Sequence, residues 1–222
     1  MRSADIWWKR LLVALLTLPF QGLYALANRV IAEQGRFFVF RFPVDDRIPL
    51  VRLFILPYYA WYFLVAGALI WLVCDTRTGR LLNRYAAAIC LAETIAFAVY
   101  MIFPTQMARP DVTGQDLLSG MVRLIYRIDY PYNCFPSMHV CLAALTAYVV
   151  HLAGPRHFLF RFINLTGLIL ITLSTVLTKQ HYTPDILGGF FLAWAAWQLT
   201  RPLLRLIGKT LGHAASVGKG VA

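Results

Sequence analysis

Charge is scarce in this sequence. Of 222 residues only 14% are charged, and 10 are acidic. Soluble domains give about a quarter of their residues to charge, so an ordinary water-soluble fold is excluded. Cysteine is scarce as well. Cys74, Cys90, Cys134 and Cys141 stand at no metal-ligand spacing, which rules out a zinc module readable from sequence. Cys134 and Cys141 are seven residues apart; two helical turns would set their Cα atoms about 10 Å apart, beyond a disulfide. No redox compartment follows. What fills the chain instead is hydrocarbon, at 59% hydrophobic residues.

A span needs about 20 apolar residues to cross about 30 Å of lipid. Six stretches qualify, at about Leu11 to Ala27, Leu53 to Cys74, Tyr85 to Phe103, Pro136 to Ala153, Phe158 to Thr178 and Pro184 to Leu199. The expected fold class is therefore all-α: a polytopic membrane protein, one six-transmembrane-helix bundle over residues 1–222. The first stretch, with Pro19, Gln21 and Gly22 behind Lys9 and Arg10, reads as a retained helix or as a signal peptide; no small-residue cleavage site stands out, which favours the helix. Between the third and fourth stretches, Leu117, Leu118, Met121, Val122, Leu124, Ile125 and Ile128 repeat at helical spacing, with Arg123 and Arg127 opposite. That pattern predicts an interfacial helix. Phe37, Phe38, Val39, Phe40 and Phe42, between Arg36 and Arg41 and beyond, suit a loop at headgroup level.

The net charge of +11 sits mainly in loops and termini, where anionic lipid headgroups are a simpler partner than nucleic acid. Lysines and arginines on the side of the N-terminus number twelve, against nine opposite. Setting aside Arg109 and Lys179 as site residues leaves seven, a bias that puts both termini in the cytoplasm, against the five arginines from Arg29 to Arg52. The expected location is the inner membrane, with the site facing the periplasm or a lumen. Oligomeric state is not legible.

Polar chemistry gathers at the end of the third stretch and the starts of the fourth and sixth. In a six-span chain these share one face, so Arg109, His139, His181 and Asp185 belong to one surface. Ionisable groups at the edge of hydrocarbon mark function by default. A histidine attacks phosphorus if its second ring nitrogen donates to a carboxylate. His181 and Asp185 are four residues apart, on a helix about 5 to 6 Å between Cβ atoms. His139 can then protonate the leaving oxygen. Arg109 offers a fork for phosphate oxygens and Lys179 a point charge; Ser137 and amides at the fourth helix start complete a cradle. Ser137 reads equally as a helix cap. Neither metal nor cofactor is required. Glu93, inside the third stretch, should face the bundle interior.

These residues resemble the type 2 phosphatidic acid phosphatase superfamily, which also holds vanadium haloperoxidases and sphingolipid-synthase-like phosphotransferases. Its Pro-Ser-x-His motif matches Pro136, Ser137, Met138 and His139; its His-x-x-x-Asp matches His181 and Asp185, followed by Ile186-Leu187-Gly188-Gly189. Of the motif Lys-x6-Arg-Pro only Arg109-Pro110 is present, with Ile102 at the lysine position, and Ser174-Thr175 stands where the family has Ser-Arg. The wording Phe-Pro-Ser-Met-His and Thr-Lys-Gln-His-Tyr is most similar to the inositol phosphorylceramide synthase branch. The resemblance implies a metal-independent double displacement through phosphohistidine at His181, with Asp185 its partner and His139 acid and then base.

Three functions remain open at this stage. One is a lipid phosphatase acting on a phosphomonoester or pyrophosphate. A second is a lipid phosphotransferase that passes a phosphorylated headgroup to an alcohol. The third is a membrane protein that binds or transports lipid phosphate without turning it over.

Overall fold

The computed structural model describes residues 3–17, 28, 30–33, 35–154 and 158–219. Among the described residues these α-helices follow in order: α1 (Ser3–Leu15), α2 (Ile55–Cys74), α3 (Gly79–Ile102), α4 (Leu117–Ile128), α5 (Met138–Leu152), α6 (Phe158–Leu177) and α7 (Thr183–Lys219), with residues 28 and 30–33 also helical. No strand forms among the described residues; two isolated bridges, Phe38 with Thr105 and Gln106 with Tyr132, tie loops together. The chain is all-helical.

Among the described residues three segments are long and apolar enough to cross a membrane: Arg52–Cys74, Thr76–Ile102 and Phe158–Leu177. They coincide with the second, third and fifth expected stretches. The fourth, α5, is apolar but has 15 residues, about 22 Å at 1.5 Å per residue. The sixth continues well beyond Leu199, through Pro202, as a 37-residue helix. Of the first stretch, helix is described only to Leu15, and residues 18–27 lie outside the described set.

α5 is the central helix. It packs against α2, α3, α6 and α7, and its residues Val140, Cys141, Leu142, Ala143, Leu145, Val149 and Val150 are all buried, the all-round burial expected of a core helix. Its one polar core residue, Thr146, shares a 2.6 Å hydrogen bond with the Tyr85 hydroxyl of α3. Ser137 starts the helix by capping, its side chain accepting from the Val140 amide at 3.4 Å. α7 lies against that start because Gly189 has no side chain: a Cβ there would stand 2.6 Å from the Ser137 carbonyl oxygen and 3.0 Å from Val140 Cβ.

Elsewhere helix ends are tied by long polar side chains. Arg10 of α1 is buried and donates to the carbonyls at the end of α2, reaching Val73 at 2.8 Å and Asp75 at 2.7 Å; those carbonyls have no partner inside their own helix. α4 begins at Asp116, whose carboxylate accepts from the Ser119 amide at 3.1 Å and hydroxyl at 2.7 Å. Those bonds, with Arg52 beside them, hold the Asp116 carboxyl below the usual range. α4 fulfils the helical spacing seen in sequence, but its apolar face is divided. Val122 and Ile125 pack on Ile55 and Tyr58 of α2, whereas Leu117, Leu124 and Ile128 stay exposed.

Replacing Gly189 by Ala should force α5 and α7 apart and cost about 1 to 3 kcal/mol, read as a lower unfolding temperature in detergent. Gly120→Ala in α4, where a Cβ meets nothing within 4 Å, should be neutral or stabilising by about 0.4 to 1 kcal/mol.

Candidate active site

Asp185 sits in the first turn of α7 and is almost wholly buried. One of its carboxylate oxygens accepts from the Tyr182 amide at 2.9 Å and lies 3.3 Å from His181 Nδ1. The expected pair is therefore present, although by another geometry. His181 precedes α7, so the two residues do not share a helix face; they meet because the carboxylate folds back over the helix start. The Asp185 backbone carbonyl accepts from the Ser137 amide at 3.0 Å, which brings the second motif to the third. The His139 and His181 rings then lie 5.7 Å apart, edge to face.

The His139 ring is held between aromatic neighbours, 4.6 Å from Tyr58 and 4.6 Å from Trp61. Trp61 Nε1 donates to the His139 carbonyl at 3.0 Å, and the Tyr58 hydroxyl to Asp129 at 3.0 Å. A cavity of about 310 Å³ opens beside both histidines, with Trp61, Tyr62, Phe97, Tyr100, Glu93 and Asp129 among its lining residues and, among the described residues, no lysine or arginine.

Arg109 reaches the same cluster from the loop after α3. Its guanidinium donates to the Tyr126 carbonyl at 3.1 Å, the Asp129 carbonyl at 2.7 Å and the Gln180 side chain, and stacks 4.6 Å from the Tyr126 ring. Burial pushes the Tyr126 hydroxyl up to about 12, with Arg109 pulling the other way, so it stays a neutral donor, to the Thr178 carbonyl at 2.9 Å.

Two expected phosphate ligands are placed differently. Ser137 is fully buried with its hydroxyl used as the α5 cap. Lys179 adopts a left-handed backbone, φ 54°, and its Nζ donates to the Asp45 carbonyl at 3.3 Å. Asp45 is the residue that sequence reasoning missed. Its buried carboxylate accepts from the Thr183 amide at 2.8 Å, the Thr183 hydroxyl at 3.0 Å and the Phe42 amide at 2.8 Å, which caps α7 from a loop more than 130 residues away. An Asp-Asp pair after Phe42-Pro43-Val44 carries no spacing that announces this. Gln180, next to His181, was visible only as part of Thr-Lys-Gln-His-Tyr.

Of the buried side-chain atoms that make no hydrogen bond among the described residues, four lie in this cluster: Arg109 Nε, Gln180 Nε2, His139 Nε2 and Asp185 Oδ1. All belong to the motif residues or their neighbours. Unpaired buried polar atoms are rare, and two of these, on Arg109 and Gln180, are N–H donors of the kind an anion satisfies. Cys134 lies close by, but burial and then the Asp185 carboxylate push its thiol well above the usual range, which excludes it as a nucleophile.

A family model described as the PAP2 superfamily matches residues 38–199. The chain belongs to that superfamily. Its matched region takes in every residue of the cluster, from Asp45 to Asp185, and ends within α7. PAP2 superfamily members are generally phosphoesterases or phosphotransferases, and membership suggests a phosphatase-type activity. No curated protein matches it.

Asp45→Ala removes the α7 cap and should cost about 1 to 2 kcal/mol, measured as a lower thermal midpoint in detergent.

Proposed function

We propose that this chain is an integral-membrane lipid phosphatase that hydrolyses a phosphomonoester or pyrophosphate through phosphohistidine at His181. The observation that carries the reading is the convergence of His181, Asp185 and His139 with unpaired N–H donors on Arg109 and Gln180. His181 Nδ1–H donates to Asp185, which leaves the Nε2 lone pair for phosphorus. As the N–P bond forms, the P–O bond to the lipid breaks and His139 passes a proton to the leaving oxygen. Water then attacks phosphorus while His139 takes its proton, and the N–P bond breaks. Arg109 offsets the charge on the equatorial oxygens. No step calls on a metal.

The bundle in this reading spans the membrane six times as one domain, with α4 at the interface, both termini cytoplasmic and the site open to the periplasm or a lumen. Lipid phosphate is the substrate and anionic lipid the surrounding partner. A second reading has its own support. The cavity, about 310 Å³, has room beyond a phosphate, and its aromatic wall suits an organic acceptor; an alcohol in place of water would make the chain a lipid phosphotransferase.

Phosphate release from detergent-purified protein, measured on lipid phosphates and pyrophosphates with chelator present, should disappear in His181→Ala. In Asp185→Asn it should fall about a hundredfold or more. A new lipid in place of free phosphate, seen by mass spectrometry and dependent on His181, would establish the transferase. Neither product would leave a lipid-phosphate binder without turnover.

A further inference from the structure

Cys134 belongs to the loop before α5, and 47 residues separate it from His181. The fold nonetheless brings its sulfur together with His181 and Asp185: one ligand atom from each lies within 4.8 Å of the other two, and all three residues are buried. His181 Nδ1 and an Asp185 oxygen are themselves 3.3 Å apart. The other Asp185 oxygen is buried without a hydrogen bond. The thiol makes a weak bond to the Pro131 carbonyl at 3.6 Å.

Thiolate, imidazole and carboxylate together suit a borderline-soft divalent ion that accepts a tetrahedron. Bonds of about 2.0 to 2.3 Å set such ligands roughly 3.3 to 3.7 Å apart. The histidine and aspartate meet that spacing, and the sulfur, within 4.8 Å of one ligand atom of each, has to draw in by up to about 1.5 Å.

We propose that Cys134, His181 and Asp185 form an inhibitory site for a zinc-class divalent ion. The inhibitory part rests on the reading of His181 as nucleophile. Coordination through Nδ1 occupies that lone pair, so the proton of the neutral ring moves to Nε2, the atom needed for phosphorus. The ion also takes the Asp185 carboxylate from His181. The thiol proton leaves to water, no electrons change hands, and a water fills the fourth position. One thiolate and one carboxylate neutralise the two charges of the ion. Arg109 nearby opposes a further cation, which makes the ion a reversible inhibitor and not a resident structural zinc.

The test uses full-length protein in detergent, stripped with chelator. Cobalt(II) added as a spectroscopic stand-in should give a thiolate-to-cobalt charge-transfer band that saturates at one equivalent and is displaced by zinc. Cys134→Ser should abolish the band and raise the zinc concentration for half-inhibition roughly tenfold or more, each rate being taken relative to that variant without zinc. Asp185→Asn, whose spectrum needs no turnover, should weaken cobalt binding by a similar factor and guards against a Cys134 variant that fails to fold. No charge-transfer band in the parent protein, or a band or zinc midpoint unchanged by Cys134→Ser, overturns the site. A cobalt band in a protein without turnover keeps the site and overturns the functional reading instead.

Discussion

The amide of Ser137 donates to the backbone carbonyl of Asp185 at 3.0 Å, and the chemistry of the cluster depends on that one main-chain bond. It joins the start of α5 to the start of α7, so the two histidines carried near those starts have a fixed separation. The same two residues hold their own helix starts, Ser137 by capping α5 and Asp185 by accepting from Tyr182. Gly189 permits the approach, since any side chain there would press on the Ser137 carbonyl. Backbone atoms cannot change rotamer, which makes this junction stiffer than one built of side chains.

Electrostatics in the cluster differ from what the missing family cations would lead one to expect. Ile102 and Thr175 stand at positions where the motif pattern has lysine and arginine, and Lys179 does not fill the gap, because its amine is drawn to the Asp45 carbonyl. In the proposed reading Arg109 therefore lacks those two cations and Lys179 beside it. Two backbone carbonyls, Gln180 and the face of Tyr126 fix its guanidinium, and fixed charge serves a developing negative charge better than mobile charge does. A cation held in this way need not be supported by others to the same degree.

Much of this was legible in the chain. Long apolar runs gave α2 and α6 nearly to the residue and α3 with a start six residues late, at Tyr85 for Gly79, since length and hydropathy alone set a span. The repeat from Leu117 to Ile128 gave α4. The motifs gave His139, His181 and Asp185 as neighbours. What was not legible shares one physical cause: contacts made by side chains far apart in sequence leave no periodicity. Asp45 capping α7 is such a contact, as is Cys134 beside His181. Lys179 could not be placed because its direction follows from a left-handed backbone at a non-glycine residue, which no pattern announces. The His181 and Asp185 pair was found for a reason that did not hold, since His181 lies before the helix and the pair closes across its first turn.

The shortness of α5 bears on depth. A helix of 15 residues covers about 22 Å, whereas the hydrocarbon layer is about 30 Å thick. If α5 spans the layer as proposed, roughly 8 Å of it is left to the loop that carries Phe135, Pro136 and Ser137. In the proposed reading the histidines are thus recessed, and a lipid substrate would lower its polar end beneath the headgroup plane while its tail remains among lipids. Entry from the side, between helices, keeps both ends in the medium they prefer. Water has the longer journey, and the depth of the well becomes a means of rationing it.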